Sequence, residues 1–230
     1  MAGAGLRPPG QAANAEGQMS MPRDTALALD SRSGLEVQSG AQSGALSDDA
    51  LLVLYARGDA EAAQVLTGRH LGRVYGFAAR LLGDWAEAED VAQEVMVRMW
   101  RIAGQWRSGE AQLSTWLYRV TLNLCTDRQR SARRRPTEAL DLVAEPADAR
   151  PDTEAVLMQR ERVVALEAAL ATLPDRQRQA VVLRHIEGLT NPEISQIMGV
   201  GVEAVESLTA RGKRALTAAL ADRKSALGLE

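Results

Sequence analysis

All four tryptophans of the chain, Trp85, Trp100, Trp106 and Trp116, fall in one block from Asp84 to Arg135 that starts acidic and ends in SARRR. Seven of its eight aromatic residues lie between Tyr75 and Tyr118, and only Tyr55 stands outside. Rings beside a cationic run can hold unpaired bases, because rings stack on base faces while Lys and Arg neutralise phosphates. A single tryptophan in a small helical domain is more often a packing residue than a base platform. The joint pattern of rings and charge is what points to nucleic acid. Trp106 is the ring least easily explained as core, since it lies in a polar stretch between Gly104 and Gly109. A second constellation lies near the end of the chain, where NPEISQIMGVG precedes a segment carrying Arg211, Lys213 and Arg214. Two short helices around a glycine turn, followed by cations, suit a reader of duplex DNA. A plain helical hairpin competes with that reading.

The elements that must position these groups are helices. Ser47 or Asp48 caps a first helix carrying Leu51, Leu52, Leu54 and Tyr55, and Gly58-Asp59 breaks it. The next run carries Ala63, Leu66 and His70, then an i, i+3, i+4, i+7 stripe of Leu71, Val74, Ala78, Leu81 and Leu82. Gly83 ends it as a C-cap. Asp84, with Glu87 three residues on, has capping-box spacing. It opens a helix with Ala88, Val91, Ala92, Val95 and Met99 inward, and Glu87, Asp90, Gln93, Glu94 and Arg98 elsewhere. Ala103 to Gln112 reads as a loop. Leu113 or Ser114 starts a helix with Leu117, Val120 and Leu124 inward. Arg119, Asn123, Asp127, Arg128 and Arg130 are left outside.

Pro136 to Pro151 reads as a linker with three prolines and a surplus of acid. Beyond it an amphipathic stripe runs through Val156, Leu157, Val163, Leu166, Leu170 and Leu173. Pro174 starts a helix at its first turn, with Ala180, Val182, Leu183 and Ile186 inside. Asn191-Pro192-Glu193 supplies a cap, a first-position proline and a first-turn acid. Ile194, Ile197 and Met198 face inward, Gly199-Val200-Gly201 turns, and a last helix turns Val202, Val205, Leu208 and Leu216 inward. The expected fold is all-α: two small helical domains, 48–135 and 154–222, joined by a flexible acidic linker, 136–153. A disordered extension, 1–47, and a tail, 223–230, flank them.

The bulk properties bound the function. The chain has 230 residues, net charge −3 and 46% hydrophobic residues but only 3% aromatic. This suits small helical cores rather than a large enzyme core. The charge argues against tight binding of duplex DNA by the chain alone. Its segregation, cationic over Arg128–Arg135 and acidic over Glu138–Glu154, suggests contact with nucleic acid on one patch and a basic partner on another. The lone Cys125 excludes an internal disulfide and a thiolate zinc site, and fits a reducing cytoplasm as a buried, inert thiol. His70 and His185 lack the partners for a metal or a triad. No apolar run reaches a membrane span and no secretory h-region is seen. No phosphate-cradling glycine loop or catalytic triad is visible, so no enzyme, cofactor or metal is expected.

Three segments together resemble the sigma-70 family of bacterial transcription initiation factors, and within it the small two-domain extracytoplasmic-function class (group IV). They are AEAEDVAQEVMVRMWR (Ala86–Arg101), STWLYRVTLNLCTDRQR (Ser114–Arg130) and LPDRQRQAVVLRHIEGLTNPEISQIMGV (Leu173–Val200). The resemblance covers about Asp48 to Leu220. It implies a promoter-specificity factor with no catalysis of its own. Such a factor binds core RNA polymerase through the clamp helices and the flap, recognises a bipartite promoter as duplex and single strand, and opens the −10 element. It also implies an anti-sigma partner.

By position, the resemblance places Glu87, Asp90, Gln93, Glu94 and Arg98 at the polymerase, where a rigid acidic helix gives complementarity and register. It places Gln105, Trp106, Arg107 and Ser108 in the loop that captures a flipped base. Trp100 and Trp116 then support that loop. Asn123, Asp127, Arg128 and Arg130 face the upstream part of the −10 element, and Arg133, Arg134 and Arg135 add phosphate contacts. In the last helix Glu203, Glu206, Ser207, Thr209, Arg211, Lys213 and Arg214 are the −35 candidates. Here the chain departs from the family pattern, with Gly201 at the cap and Glu203 and Glu206 early in the helix. Acids accept from cytosine amino groups but repel phosphate. The competing function is a stand-alone helix-turn-helix regulator binding duplex operator, which leaves the N-terminal block without a role.

Overall fold

Ser47 opens the first helix of the computed structural model, which describes residues 46–109, 112–134 and 154–221. Its hydroxyl accepts from the Ala50 amide at 3.3 Å, and α1 (Asp48–Ala56) buries Leu51 and Leu52. Gly58 takes φ +95°, and Asp59 then caps α2 (Ala60–Leu82) by accepting from the Glu61 and Ala62 amides at 2.9 and 3.2 Å. The buried face of α2 runs through Ala62, Leu66, His70, Val74, Phe77, Ala78 and Leu81. Leu71, expected on this stripe, is exposed instead. His70 takes the inward place because Asp48 meets its Nε2 at 2.7 Å and satisfies the polar tip of a buried ring.

Gly83 ends α2 at φ +71°, and Asp84 accepts from the Glu87 amide at 3.0 Å to start α3 (Trp85–Ile102). Ala88, Val91, Ala92, Val95 and Met99 are buried as the spacing predicts, and Met96 joins them. A 3-10 turn, Ala103–Gln105, leads to α4 (Leu113–Arg134). The buried face of α4 is Leu117, Tyr118, Thr121, Leu122 and Cys125; Val120 and Leu124 sit on its half-buried flank. Helices α1, α3 and α4 all pack on α2, the centre of the first unit.

In the second unit α5 (Glu154–Ala171) buries Ala165, Ala169 and Leu170. Val156 and Val163, expected on its stripe, are exposed, and the side chain of Leu157 lies outside the described residues. Ala165 and Ala169, four residues apart, share the buried face of this helix. The next helix, α6 (Asp175–Val181), starts one residue after its proline: Pro174 holds the cap position rather than the first turn. A π-type turn (Val182–Ile186) follows it.

Helix α7 (Asn191–Met198) is capped by Thr190, one residue before the expected Asn191. The Glu193 carboxylate reaches back to the Thr190 amide and hydroxyl at 2.7 and 2.6 Å, which selects that register. Gly199 turns the chain at φ +64° into α8 (Val202–Ala221). Val205 is buried, but Val202, expected inward, is exposed. Helical side chains lean toward the N-terminus, so one at the first position overhangs the helix end and covers nothing.

The two units touch. Helix α4 packs along α7, and α2 meets α5 and α6. Their buried side chains form one connected cluster from Leu51 to Val205. Among the described residues no helix is long and apolar enough to cross a membrane.

Candidate nucleic-acid interface

The outer face of α3 carries the acids expected at the polymerase. Glu87, Asp90, Gln93 and Arg98 are exposed and Glu94 is half-buried. None of the charged four stands alone. Arg98 donates to Glu94 at 2.8 Å, and that hydrogen bond holds the Glu94 carboxyl below the usual carboxylate range. Gln93 donates to Glu89 at 3.2 Å. Arg128 of α4 pairs with Glu87 and lies 3.6 Å from Asp90. Arg128 was expected to face DNA; it is turned instead onto α3, because two carboxylates one helical turn apart meet its guanidinium there. Glu87 accordingly spends its side chain on Arg128 rather than on the return half of a capping box.

The loop after α3 is organised by Asp49, a residue that no sequence motif singles out. Asp49, at the second position of α1, accepts from the Trp106 indole N–H at 2.8 Å and from the Gly109 amide at 3.2 Å. Trp106 is half-buried and sets its ring edge-on to Trp116, centroids 6.4 Å apart. The expectation that Trp106 is the ring outside the core is therefore corrected: an indole N–H seeks an acceptor when buried, and α1 supplies one. The exposed groups of the loop are Gln105, Arg107 and Ser108. Trp100 packs on Tyr55 with centroids 4.5 Å apart, a supporting ring as expected. Trp85 is 39% exposed beside Tyr75. A signal for Asp49 existed in principle: an acid two positions inside the Ser47 cap, where the helix N-terminus already favours negative charge.

On α4, Asn123, Asp127 and Arg130 are exposed along one side, with Arg130 3.9 Å from Asp127. Arg134 is exposed at the helix end, and Arg135 lies outside the described residues. Arg133, expected on phosphate, bonds to Asp175 of the second unit at 2.7 Å. Cys125 is buried, and burial pushes its thiol up to about 12, so it is neutral and inert at neutral pH.

The turn between α7 and α8 is held from one residue. The Ser195 carbonyl accepts from the Gly199 and Val200 amides, and the Ser195 hydroxyl donates to the Val200 carbonyl at 2.5 Å. From α8, Glu203, Glu206, Ser207, Arg211, Lys213 and Arg214 are exposed. Thr209 is half-buried, and its hydroxyl is buried without a hydrogen-bond partner. Glu206 accepts from Asn191 at 3.4 Å, and Arg211 donates to the Ser207 carbonyl at 3.2 Å. Lys213 also borders a shallow groove of about 220 Å³ with Val181, His185 and Leu216. Partial burial, then Lys213 and Arg184, hold the His185 imidazole below its ordinary value.

Gly212 carries no sequence signal of its own, yet a side chain there would collide with the neighbouring helix. It is buried where α8 crosses α6, and a β-carbon there would lie 2.5 Å from Val181 Cγ2 and 3.1 Å from the Gln177 carbonyl. Among the described residues no group of His, Cys, Asp and Glu could hold a metal ion.

Residues 66–135 match sigma-70 region 2, and residues 164–216 match sigma-70 region 4. The chain is 38% identical over 162 residues to the ECF RNA polymerase sigma factor SigE of Mycolicibacterium smegmatis, covering 70% of this chain and 62% of that one. It is 31% identical over 182 residues to the RNA polymerase sigma-H factor of Pseudomonas aeruginosa, covering 75% of this chain and 93% of that one. Its fold is similar to that of CnrH, solved in complex with the cytosolic domain of CnrY, with a TM-score of 0.55, 27% identity, and coverage of 76% of this chain and 97% of that one. Region 2 thus takes in the acidic helix, the tryptophan loop and the basic helix, and region 4 takes in the helix-turn-helix. The chain belongs to the extracytoplasmic-function sigma factors of the sigma-70 family, which are the promoter-specificity factors of RNA polymerase.

Proposed function

We propose that this factor, of the group IV class, docks core RNA polymerase through the outer face of α3 and the flap through its second domain. Glu87, Asp90, Gln93, Glu94 and Arg98 form the α3 surface. The loop held by Asp49 then takes up a flipped base of the −10 element, with Gln105, Arg107 and Ser108 at its edges and Trp106 as the wall behind. Asn123, Asp127 and Arg130 face the upstream −10 bases, and Arg134 and Arg135 meet phosphate. Helix α8 reads the −35 element through Glu203, Glu206, Ser207, Arg211, Lys213 and Arg214.

The observation that carries this reading is the tether from Arg128 to Glu87 and Asp90. It fixes the DNA-facing helix to the acidic helix, so a polymerase gripping α3 also sets the position of α4 and the loop between them. A base drawn from the stack needs such a prepared pocket, because extrusion costs a few kcal/mol. The net charge of −3 agrees, since the polymerase then supplies most of the affinity for DNA.

The same reading makes 48–135 and 154–222 the working domains and 136–153 the span between them. It places the protein in the cytoplasm, where an anti-sigma protein holds it inactive. The test is to add the purified chain to core polymerase and a library of promoter fragments and to map transcript starts. Promoter-dependent transcripts sharing a −35 and a −10 motif are expected. Their absence from every template, or a sharp footprint on DNA without polymerase, overturns the proposal.

A further inference from the structure

The face of the first domain around Arg80, Tyr118 and Arg133 is covered by the second domain. The Tyr118 hydroxyl donates to Glu187 at 2.5 Å, and Arg80 lies 3.7 Å from the same carboxylate, whose side chain is only 9% exposed. Arg133 donates to Asp175 at 2.7 Å, and Asp175 also binds Arg178 at 3.0 Å. Three groups of one domain thus converge on two carboxylates of the other, with α4 lying along α7 between them. Helix α4 is the −10 helix, and α7 is the first helix of the −35 reader.

This arrangement cannot coexist with the reading of two separated DNA elements. One duplex turn spans roughly 34 Å, whereas these hydrogen bonds hold the two domains in direct touch. The stretch between Arg134 and Glu154 reaches roughly 65 Å when extended, which is enough to let the domains part without breaking the chain. The seam is also built to open. Arg178 is a buried cation with one carboxylate partner and an Nε that has none. A buried charge left partly unsatisfied regains hydration on separation, which offsets part of the cost of parting the domains.

We propose that Arg80, Tyr118 and Arg133 form a docking face for Glu187 and Asp175 of the chain's own second domain, and that this closed form competes with polymerase binding. The proposal rests on the reading that the two domains address separate promoter elements. If the closed form dominates about ten to one, opening it tightens apparent polymerase affinity about tenfold, because only the open fraction binds.

The test uses the full-length chain and its double variant Glu187→Lys with Asp175→Lys, which sets like charge against Arg80, Arg133 and Arg178. Small-angle X-ray scattering measures the radius of gyration, and fluorescence anisotropy measures affinity for core polymerase. The wild type is expected to be compact, and the variant expanded and about tenfold tighter on polymerase. Tyr118→Phe removes one hydroxyl while keeping the ring edge-on to Phe77. It shifts both readouts in the same direction by less, and decides the matter should the double variant fail to fold. Equal radii for wild type and variants overturn the closed form, and expansion without tighter polymerase binding overturns the competition. Loss of promoter-dependent transcription by the wild type as well indicts the sigma-factor reading, not the seam.

Discussion

Arg128 of α4 pairs with Glu87 of α3 across 41 residues of chain and lies 3.6 Å from Asp90. Both partners are part-exposed, so the pair contributes only about 0.2–1 kcal/mol to stability. Its value is in geometry, since it joins α3, the proposed polymerase face, to α4, the proposed DNA helix. Arg128→Ala is therefore expected to lower the melting temperature slightly while weakening promoter opening by the holoenzyme. The salt dependence of promoter binding separates the roles. Removing a cation that meets phosphate would lower the slope by about one. Removing a tether leaves the slope unchanged, and that is the expected result.

Asp49 gathers the loop after α3 by accepting from Trp106 and Gly109. Hydrogen bonds to a charged group are worth about 1.5–3 kcal/mol when partly sheltered. Asp49→Ala is expected to destabilise the first domain by about that amount and to slow −10 opening, followed with a fluorescent base analogue. Affinity for polymerase should hold, because α3 keeps its cap and its pairs. Trp106→Phe tests the same bond from the other side. It keeps a packing ring and loses the N–H, so it should reproduce the opening defect with a smaller loss of stability than Trp106→Ala.

Local rules served well where the cause was local. Asp84, Gly83 and the buried stripe of α3 follow from capping and period alone, and so does the helix-turn-helix. The failures have a common form, in which a distant partner took a residue that its neighbours left unclaimed. Arg128 went to α3, Trp106 to Asp49 and Arg133 to Asp175, each over more than forty residues of chain. The other misses come from packing detail. Val156 and Val163 match a helical period but lose the buried row to Ala165 and Ala169, and the Thr209 hydroxyl, expected at DNA, is buried. No period distinguishes the buried row from an equally regular row beside it; only the neighbour does.

Gly212 is the most tightly enclosed glycine among the described residues of the second domain. In a free helix, Gly→Ala stabilises by roughly 1 kcal/mol. Here the added methyl meets Val181 Cγ2 at 2.5 Å and the Gln177 backbone at 3.1 Å, so α6 and α8 must separate. Overpacking of this kind costs about 1–3 kcal/mol. Gly212→Ala is expected to lower stability despite its better helix propensity, and the companion Val181→Ala should restore part of it. Stabilisation by the single change would show that the helices yield easily at this crossing.

The cap of α7 makes stability depend on acid. Glu193 accepts from the Thr190 hydroxyl and amide, and these bonds, the hydroxyl's first, hold its carboxyl below its ordinary value of 4.5. A carboxyl whose folded value is depressed stabilises the fold fully above its unfolded value, and the contribution is lost as pH falls through the folded one. The group is mostly exposed, so the effect is at the low end of capping energies, about 0.5 kcal/mol. Chemical denaturation of wild type and Glu193→Gln should show that gap at pH 7 and a narrowing below about pH 4.5. Thr190→Ala removes the hydroxyl donor and should shrink the dependence. A gap of the same size at pH 7 and at pH 3 would mean that the glutamate acts through its length and packing, with its charge contributing nothing to the cap.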